Sequence, residues 1–432
     1  MKNFKYIFLA FILVLSFNSK AQQTPADAQT EAVTILGATA HLGNGKVIEN
    51  SIIVFENGKI TVIAEATISK IANKGKVIDA KGKHVYPGFI TSNSSLGLVE
   101  VNAVRASNDQ REIGGIIPHV RSLIAYNAES KVVESMRPNG VLMAQISPKG
   151  GRISGTSSIV QFDAWNWEDA AVKVDDAIHL NWPGSFSQGR WWLGEPRGWK
   201  PNKKYTKQVD KLRSFMQQTK TYSKGDKLPK NLPYEATLGL FDGSQKLFIN
   251  ANGEQEITDA VNFARSMDID HIVIVGGYHA YKVTDLLKKH NVAVLTGRTH
   301  TNPLSEDDDY DFVYKMPKML AESGVLVGIQ TGDASNFQTR NLPFYAGQIA
   351  GQGLDKEEAL KLITSNTAKI LGIDKDYGKL EVGKSATLFI SEGDALDMKT
   401  NVLTHAFIDG RMISLETHQT KLYNRYQKKL SK

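Results

Sequence analysis

The chain has 432 residues, of which 41% are hydrophobic and 22% charged, so it is long and apolar enough for one large folded domain and a smaller one. Its formal net charge of +7 falls to +4 without the three lysines of residues 1–21. This is too small a charge for a nucleic-acid-binding protein. The absence of cysteine excludes disulfides and a cysteine-linked lipid anchor.

Residues 1–21 have the pattern of a secretory leader. Lys2 and Lys5 precede an apolar run from Tyr6 to Phe17, and Ser19-Lys20-Ala21 is a small-x-small cleavage site. The apolar run is short for a bilayer span, so we expect cleavage, export and no transmembrane segment afterwards. A bacterial periplasm fits a cysteine-free exported chain, and an uncleaved anchor is the alternative.

Residues 22–86 are predicted to form the first part of a small β-sandwich domain. Short β-rich runs alternate with turns there, and Asn44-Gly45 and Asn57-Gly58 are strong hairpin signals. Strands and turns of the same kind return over residues 378–432. We therefore predict that the two ends of the chain form this small domain together.

Residues 87–377 are predicted to form an α/β domain, because strand-like apolar runs alternate there with helix-like segments. The expected helices include Ile257–Ser266, Tyr281–His290 and a helical region over residues 353–372 with Asp355 as its N-cap. The pattern indicates a (β/α)8 barrel of the TIM type. The predicted strands are GFITSN, GVLMAQIS, SIVQFDAW, KLFINAN, HIVIVGG, VAVLTGR and VLVGIQTG, with an eighth near residues 177–180.

An insertion of about residues 163–235 contains all six tryptophans and then a basic segment, residues 197–230, with eleven Lys/Arg against two Asp. Helical apolar spacing runs from Tyr205 to Met216 within it. One interpretation is a solvated amphipathic helix that the tryptophans pack against the barrel. The other is a lid or a docking surface for an anionic partner such as an envelope polymer, a lipid headgroup or an acidic peptide.

Several motifs together resemble the amidohydrolase superfamily. They are PGFITSNSS from Pro87, GLDKEEALKLITSNTAKILG over Gly353–Gly372, GKLEVGKSATLFISEG over Gly378–Gly393, and HAFIDGRMI near the carboxyl end. The likeness is greatest to the imidazolonepropionase-like, dipeptidase-related group exported by Bacteroidetes-type bacteria. The resemblance implies a barrel with a composite β-domain and a hydrolase that acts on C–N bonds.

The resemblance also implies one or two divalent metals, usually zinc, which activate a bound water. The family's ligands are His-x-His after strand one, often a lysine or carboxylate after strand four, histidines after strands five and six, and an aspartate after strand eight. Here Asn93 and Ser95 replace the first pair, Asn250 follows strand five, and Gly276-Gly277 follows strand six. Only Asp333 matches a family ligand. Because amides and hydroxyls bind zinc poorly, a usual two-metal site is not expected.

His279, His300 and Asp333 follow strands six, seven and eight, so their side chains are predicted to converge at one end of the barrel. They would hold a metal, or they would act as a base and its orienting partner without one. The alternative is structural: His279 starts a helix, His300 faces solvent and Asp333 caps the next segment. The candidate substrate-binding residues are Asn93, Ser95, Asn250 and Arg298.

Two functions follow from these observations. The first is an exported hydrolase of a cyclic or small amide, other than an ordinary peptide, with Asp333 as the general base and an altered metal site. The second is a degenerate homologue that binds a ligand, forms a homo-oligomer or pairs with an active amidohydrolase. A third class, a cell-envelope-binding module, depends on the tryptophan-rich basic insertion alone.

Overall fold

The computed structural model describes residues 24–67, 71–189, 191–196 and 198–431. The predicted leader, residues 1–21, lies outside the described residues. Within these ranges, no helix combines the length and the hydropathy needed to cross a membrane.

The described residues form eighteen strands in two large sheets and one two-stranded sheet. The strands are β1 (Val33–His41), β2 (Val47–Glu56), β3 (Lys59–Glu65), β4 (Lys76–Asp79), β5 (His84–Pro87), β6 (Phe89–Ser94), β7 (Val141–Ile146), β8 (Ile153–Gln161), β9 (Ala171–Asn181), β10 (Phe186–Gln188), β11 (Trp199–Pro201), β12 (Lys246–Ala251), β13 (Ile272–Gly276), β14 (Ala293–Thr296), β15 (Val327–Ile329), β16 (Leu388–Ser391), β17 (Leu403–Ile408) and β18 (Arg411–Ile413).

Twelve α-helices lie within the same ranges, most of them in the second half of the chain. They are α1 (Lys131–Glu134), α2 (Trp167–Ala170), α3 (Tyr205–Lys224), α4 (Leu232–Glu235), α5 (Gly239–Asp242), α6 (Glu254–Ser266), α7 (Thr284–Lys289), α8 (Phe312–Glu322), α9 (Leu342–Gly351), α10 (Lys356–Lys361), α11 (Ser365–Leu371) and α12 (His418–Leu430).

The small domain is one eight-stranded sheet that contains strands from both ends of the chain, as predicted. β16 pairs with β5, which joins the carboxyl-terminal strands to the amino-terminal ones. Asn57 and Gly58 both have positive φ, +51° and +75°, as a two-residue hairpin turn between β2 and β3 requires. Phe55 packs edge-on against Phe407 with ring centroids 5.0 Å apart, so residues from both ends also share one core.

The second large sheet is the predicted barrel, with strand order β6-β7-β8-β9-β12-β13-β14-β15. Ser92 of the first strand forms a parallel bridge with Gln330, the residue that follows the last strand. Thr91 Oγ1 lies 2.7 Å from Thr331 Oγ1 across the same seam. The sheet is therefore nearly closed, and the TIM-type architecture is confirmed.

The third barrel strand departs from the prediction. β8 runs antiparallel to both β7 and β9, whereas SIVQFDAW is predicted as part of a parallel βα unit. Only residues 147–152 connect β7 to β8, which is too short for a crossover helix, so the chain must reverse. Gly150 and Gly151 have φ of +86° and +62° and make this turn.

The predicted helical segments are helical in the structure, but the bounds of the helices differ from the predicted ones. α6 and α7 occupy the predicted helical segments, and a 3-10 turn at Ala280–Lys282 precedes α7. The region 353–372 contains two helices, α10 and α11, because Thr364 leaves helical geometry at φ −130° and ψ −100°. The Asp355 side chain accepts hydrogen bonds from the amides of Glu357 and Glu358, as predicted for an N-cap.

The tryptophans of the insertion fall into two groups. Trp182 is buried, packs edge-on against Phe263 at 5.3 Å and donates its indole N–H to Tyr205 of α3. Trp167 is partly buried against the same core. The other four are exposed, so the predicted packing of the helix α3 against the barrel is observed for Trp182. The exposed tryptophans are Trp165, Trp191, Trp192 and Trp199.

Candidate active site at the barrel mouth

A cavity of about 470 Å³ opens where the parallel barrel strands end. Asn93 comes from the end of β6, Asn250 from β12, Arg298 from the segment after β14, and Asp333 from the segment after β15. Strand ends from across the barrel therefore bring four of the seven predicted site residues to one cavity. The volume suits a small molecule.

Lys149 also lines this cavity; the Gly-rich sequence of residues 149–152 predicts a tight turn or, as the alternative, a cradle that binds an anion through backbone amides and two cations. Its ammonium donates hydrogen bonds to the backbone oxygen and the Oδ1 of Asn93, each at 3.0 Å. Burial lowers the pKa of Lys149 to about 8, against the opposing field of Asp333. A cation is thus bound to Asn93, the residue that the sequence resemblance compares with the family's first metal ligand.

Asp333 is accessible from the cavity, but the surrounding protein displaces enough water to raise the pKa of its carboxyl group. The charges of Arg298 and Lys149 act in the opposite direction and favour the carboxylate. The backbone N–H of Arg298 lies 3.4 Å from Asp333 Oδ2, and its guanidinium donates to Gln338 at 2.6 Å. The carboxylate of Asp333 is therefore influenced by the charges of two nearby cations, neither of which forms an ion pair with it among the described contacts.

The barrel interior beneath the cavity is polar. His179 on β9 is 1% exposed, and neither of its ring nitrogens has a hydrogen-bond partner among the described residues. Burial, followed by the charge of Lys149, lowers the pKa of His179 to about 3, so the imidazole is neutral. Buried Asp176 accepts hydrogen bonds from Gln145 at 2.8 Å and Ser157 at 2.7 Å, and burial raises its pKa.

The amide and hydroxyl groups that the sequence resemblance compares with the family's metal ligands are held by neighbours. Asn250 donates to Asn181 Oδ1 at 3.0 Å, and Asn93 donates its amide to Gln330 at 3.1 Å. Ser95 donates to the Oδ1 of Asn336 at 2.7 Å and is not among the cavity-lining residues. The two asparagines are therefore oriented toward the cavity wall, while Ser95 supports a loop.

The two predicted catalytic histidines lie elsewhere. His279 lines a larger adjoining cavity of about 920 Å³, because Gly276 and Gly277, with φ of +91° and +59°, turn the chain away from the strand end. His300 is exposed and lines a third cavity near the small domain. The expectation that both histidines converge with Asp333 is wrong. Their chemical roles stay predictions.

The donors at the barrel mouth do not fit the divalent metal that the family implies. Among the described residues that line the cavity, Asp333 is the one carboxylate, and Asn93 Oδ1 is already bound to an ammonium, which would repel a second cation. Across the described ranges, no group of three or more His, Cys, Asp or Glu side chains is arranged to hold a metal ion.

Comparison with known proteins agrees with this architecture. Residues 244–413 match the profile of the amidohydrolase family. That segment begins just before β12, contains Asn250 and Asp333, and ends with β18. The predicted resemblance to the amidohydrolase superfamily is thereby confirmed, and with it the type of barrel. A search of curated proteins gives no match.

Solved structures share the fold at low sequence identity. An amidohydrolase from Thermotoga maritima MSB8 is 22% identical, with a TM-score of 0.77, over 88% of this chain and 99% of that one. A Xaa-Pro dipeptidase with bound methionine is 14% identical, with a TM-score of 0.54, over 89% and 100%. An adenosine deaminase from Xanthomonas campestris with bound zinc is 14% identical, with a TM-score of 0.54, over 94% and 98%.

Proposed function

We propose that this protein is an exported hydrolase that cleaves a C–N bond of a small or cyclic amide, with Lys149 and Asp333 acting in place of the family's metal. One observation supports this most directly. The ammonium of Lys149 is bound by Asn93, at a metal-ligand position, and shares a cavity with Asp333, at another. The family match and the dipeptidase- and deaminase-like neighbours support a hydrolytic function.

The proposed reaction uses these two residues in succession. The Asp333 carboxylate accepts a proton as water adds to the amide carbonyl carbon, and the carbonyl oxygen becomes an oxyanion that the Lys149 ammonium stabilises. The C–N bond then breaks, and protonated Asp333 returns the proton to the leaving nitrogen. The products are a carboxylic acid and an amine, and both residues end in their starting protonation states.

The remaining polar side chains of the cavity would position the substrate. Asn250 and Asn181 present amide groups on adjacent strands, and Arg298 places a cation beside Asp333. Such a lining suits a compact polar substrate. Ser95, which supports a loop, would act only through its neighbours.

The test is hydrolysis of a panel of small amides and cyclic imides by the chain that starts at Gln22, after exhaustive chelation. We expect activity to survive chelation. Lys149→Met and Asp333→Asn should each lose about 100-fold or more in kcat, by analogy with removal of a charge-stabilising group or a general base. Lys46→Met, at an exposed site, is the matched control.

Loss of activity on chelation with recovery on adding zinc would contradict the proposal, as would full activity of the Lys149 variant. The second candidate, a ligand-binding or partner subunit, is favoured by the asparagines at former histidine positions, whose amides are already hydrogen-bonded. It would be supported by calorimetric binding of an amide that the protein does not turn over. Cell fractionation tests the proposed periplasmic location.

A further inference from the structure

The insertion projects a short hairpin that belongs to neither large sheet. β10 and β11 pair only with each other, with Phe186 opposite Pro201 and Gln188 opposite Trp199. A 3-10 turn at Trp191–Leu193 lies between them. We call residues 186–201 the Trp hairpin.

The apolar side chains of the Trp hairpin are largely exposed. Trp192 is 65% exposed, Leu193 62% and Trp199 68%, with Phe186 and Trp191 each above one half. Trp191 and Trp192 meet edge-to-face with ring centroids 6.3 Å apart, so the two rings form one apolar tip. A concentration of exposed large apolar residues of this kind marks an interaction surface.

The charge around the tip indicates the kind of partner. The described residues of the stretch 186–211 include five lysines against Glu195 and Asp210, an excess of three positive charges. Lys200, Lys203 and Lys204 are exposed where the hairpin meets α3. Two copies of this basic surface would repel each other, whereas an anionic surface would attract it.

We propose that the Trp hairpin docks onto the surface of an anionic phospholipid membrane. Tryptophan indoles favour the interface between headgroups and acyl chains, and adjacent lysines favour anionic headgroups. The inference is independent of the proposed hydrolysis. Phe186 and Trp199 also border the cavity that His279 lines, so docking holds the mouth of that cavity close to the lipid surface.

The experiment is co-sedimentation of the chain that starts at Gln22 with vesicles of phosphatidylcholine, with and without about 30% phosphatidylglycerol. Starting at Gln22 removes the apolar leader, which would bind lipid by itself. We expect binding to the anionic vesicles that weakens as salt is added. The triple variant Trp191→Ser/Trp192→Ser/Leu193→Ser should weaken it by about tenfold or more.

Trp165→Ser is the matched control, since Trp165 is 61% exposed but lies outside the Trp hairpin. The double variant Lys203→Ser/Lys204→Ser keeps the apolar tip, so it should still bind vesicles but should lose the preference for anionic ones. Circular dichroism establishes that each variant is folded. Absence of vesicle binding, equal binding to neutral vesicles, an equal loss in the Trp165 variant, or light scattering that shows hairpin-dependent dimers would each overturn the proposal.

Discussion

Replacing Lys149 with methionine should make the folded protein more stable while it removes the proposed activity. The ammonium is withdrawn from water in the cavity wall, which lowers its pKa from 10.5 to about 8. A gap of this size corresponds to a penalty of about 3 kcal/mol for keeping the charge in the folded state at pH 7. Methionine has a similar length and no charge to desolvate.

Part of that gain is offset because the two oxygens of Asn93 lose their donor, which costs about 1 kcal/mol in a cavity that water can enter. The expected net increase in the free energy of unfolding is therefore about 2 kcal/mol. Active sites commonly reduce the stability of the fold, because function requires groups that packing alone would not favour. A lysine that destabilises the folded state and lies at the barrel mouth therefore fits a functional role.

The stability difference between the Lys149→Met variant and the parent depends on pH. Because the folded pKa lies below the unfolded one, the penalty is complete below about pH 8 and disappears as pH rises past 10.5. Urea unfolding at pH 7 and at pH 10 should thus show an advantage for the variant that shrinks to about 1 kcal/mol or less at the higher pH. The exposed-site variant Lys46→Met should stay within about 0.5 kcal/mol of the parent at both values. A Lys149 variant that is less stable than the parent at pH 7 would refute the reasoning.

Three further predictions follow from the same contacts. Activity should fall above about pH 8, because Lys149 loses its proton there. Activity should also fall on the acid side, at a higher pH than for an ordinary aspartate, because burial raises the pKa of Asp333. A flat pH–rate profile would contradict both roles. His179→Leu should leave stability equal or higher, since neither ring nitrogen has a partner among the described residues, and a loss above about 2 kcal/mol in urea unfolding would reveal a hidden partner. Asp355→Ala should lower the free energy of unfolding by about 1 kcal/mol, because α10 loses its N-cap. Asp355→Asn should retain most of the stability of the parent in the same assay, because asparagine also caps helices.

The sequence predicted those site residues whose location is determined by their position at the end of a barrel strand. Asn93 and Asn250 lie at the carboxyl ends of the parallel strands β6 and β12, and such strand ends meet at one edge of the barrel regardless of the loops. His279, His300 and Asp333 all lie three or four residues beyond β13, β14 and β15, where backbone turns decide the direction of each side chain, and of the three only Asp333 reaches the cavity. Lys149 was interpreted as part of a tight turn or an anion cradle and not as a residue of the barrel mouth, because its strand connection is a hairpin and only the reversed β8 brings that turn over the mouth.

Under the proposed mechanism an ammonium takes the place of the metal, and this limits which amides the protein can hydrolyse. A divalent metal lowers the pKa of its bound water to about 7 and supplies hydroxide, whereas Lys149 carries a single charge and does not bind the attacking water. Asp333 must therefore remove the proton as the C–O bond forms, and the oxyanion receives less stabilisation. We expect rates to rise steeply as the amide becomes more reactive, with cyclic imides and anilides hydrolysed well before simple alkyl amides. A panel in which unactivated alkyl amides react as fast as imides would show that a stronger electrophile than Lys149 operates at the barrel mouth.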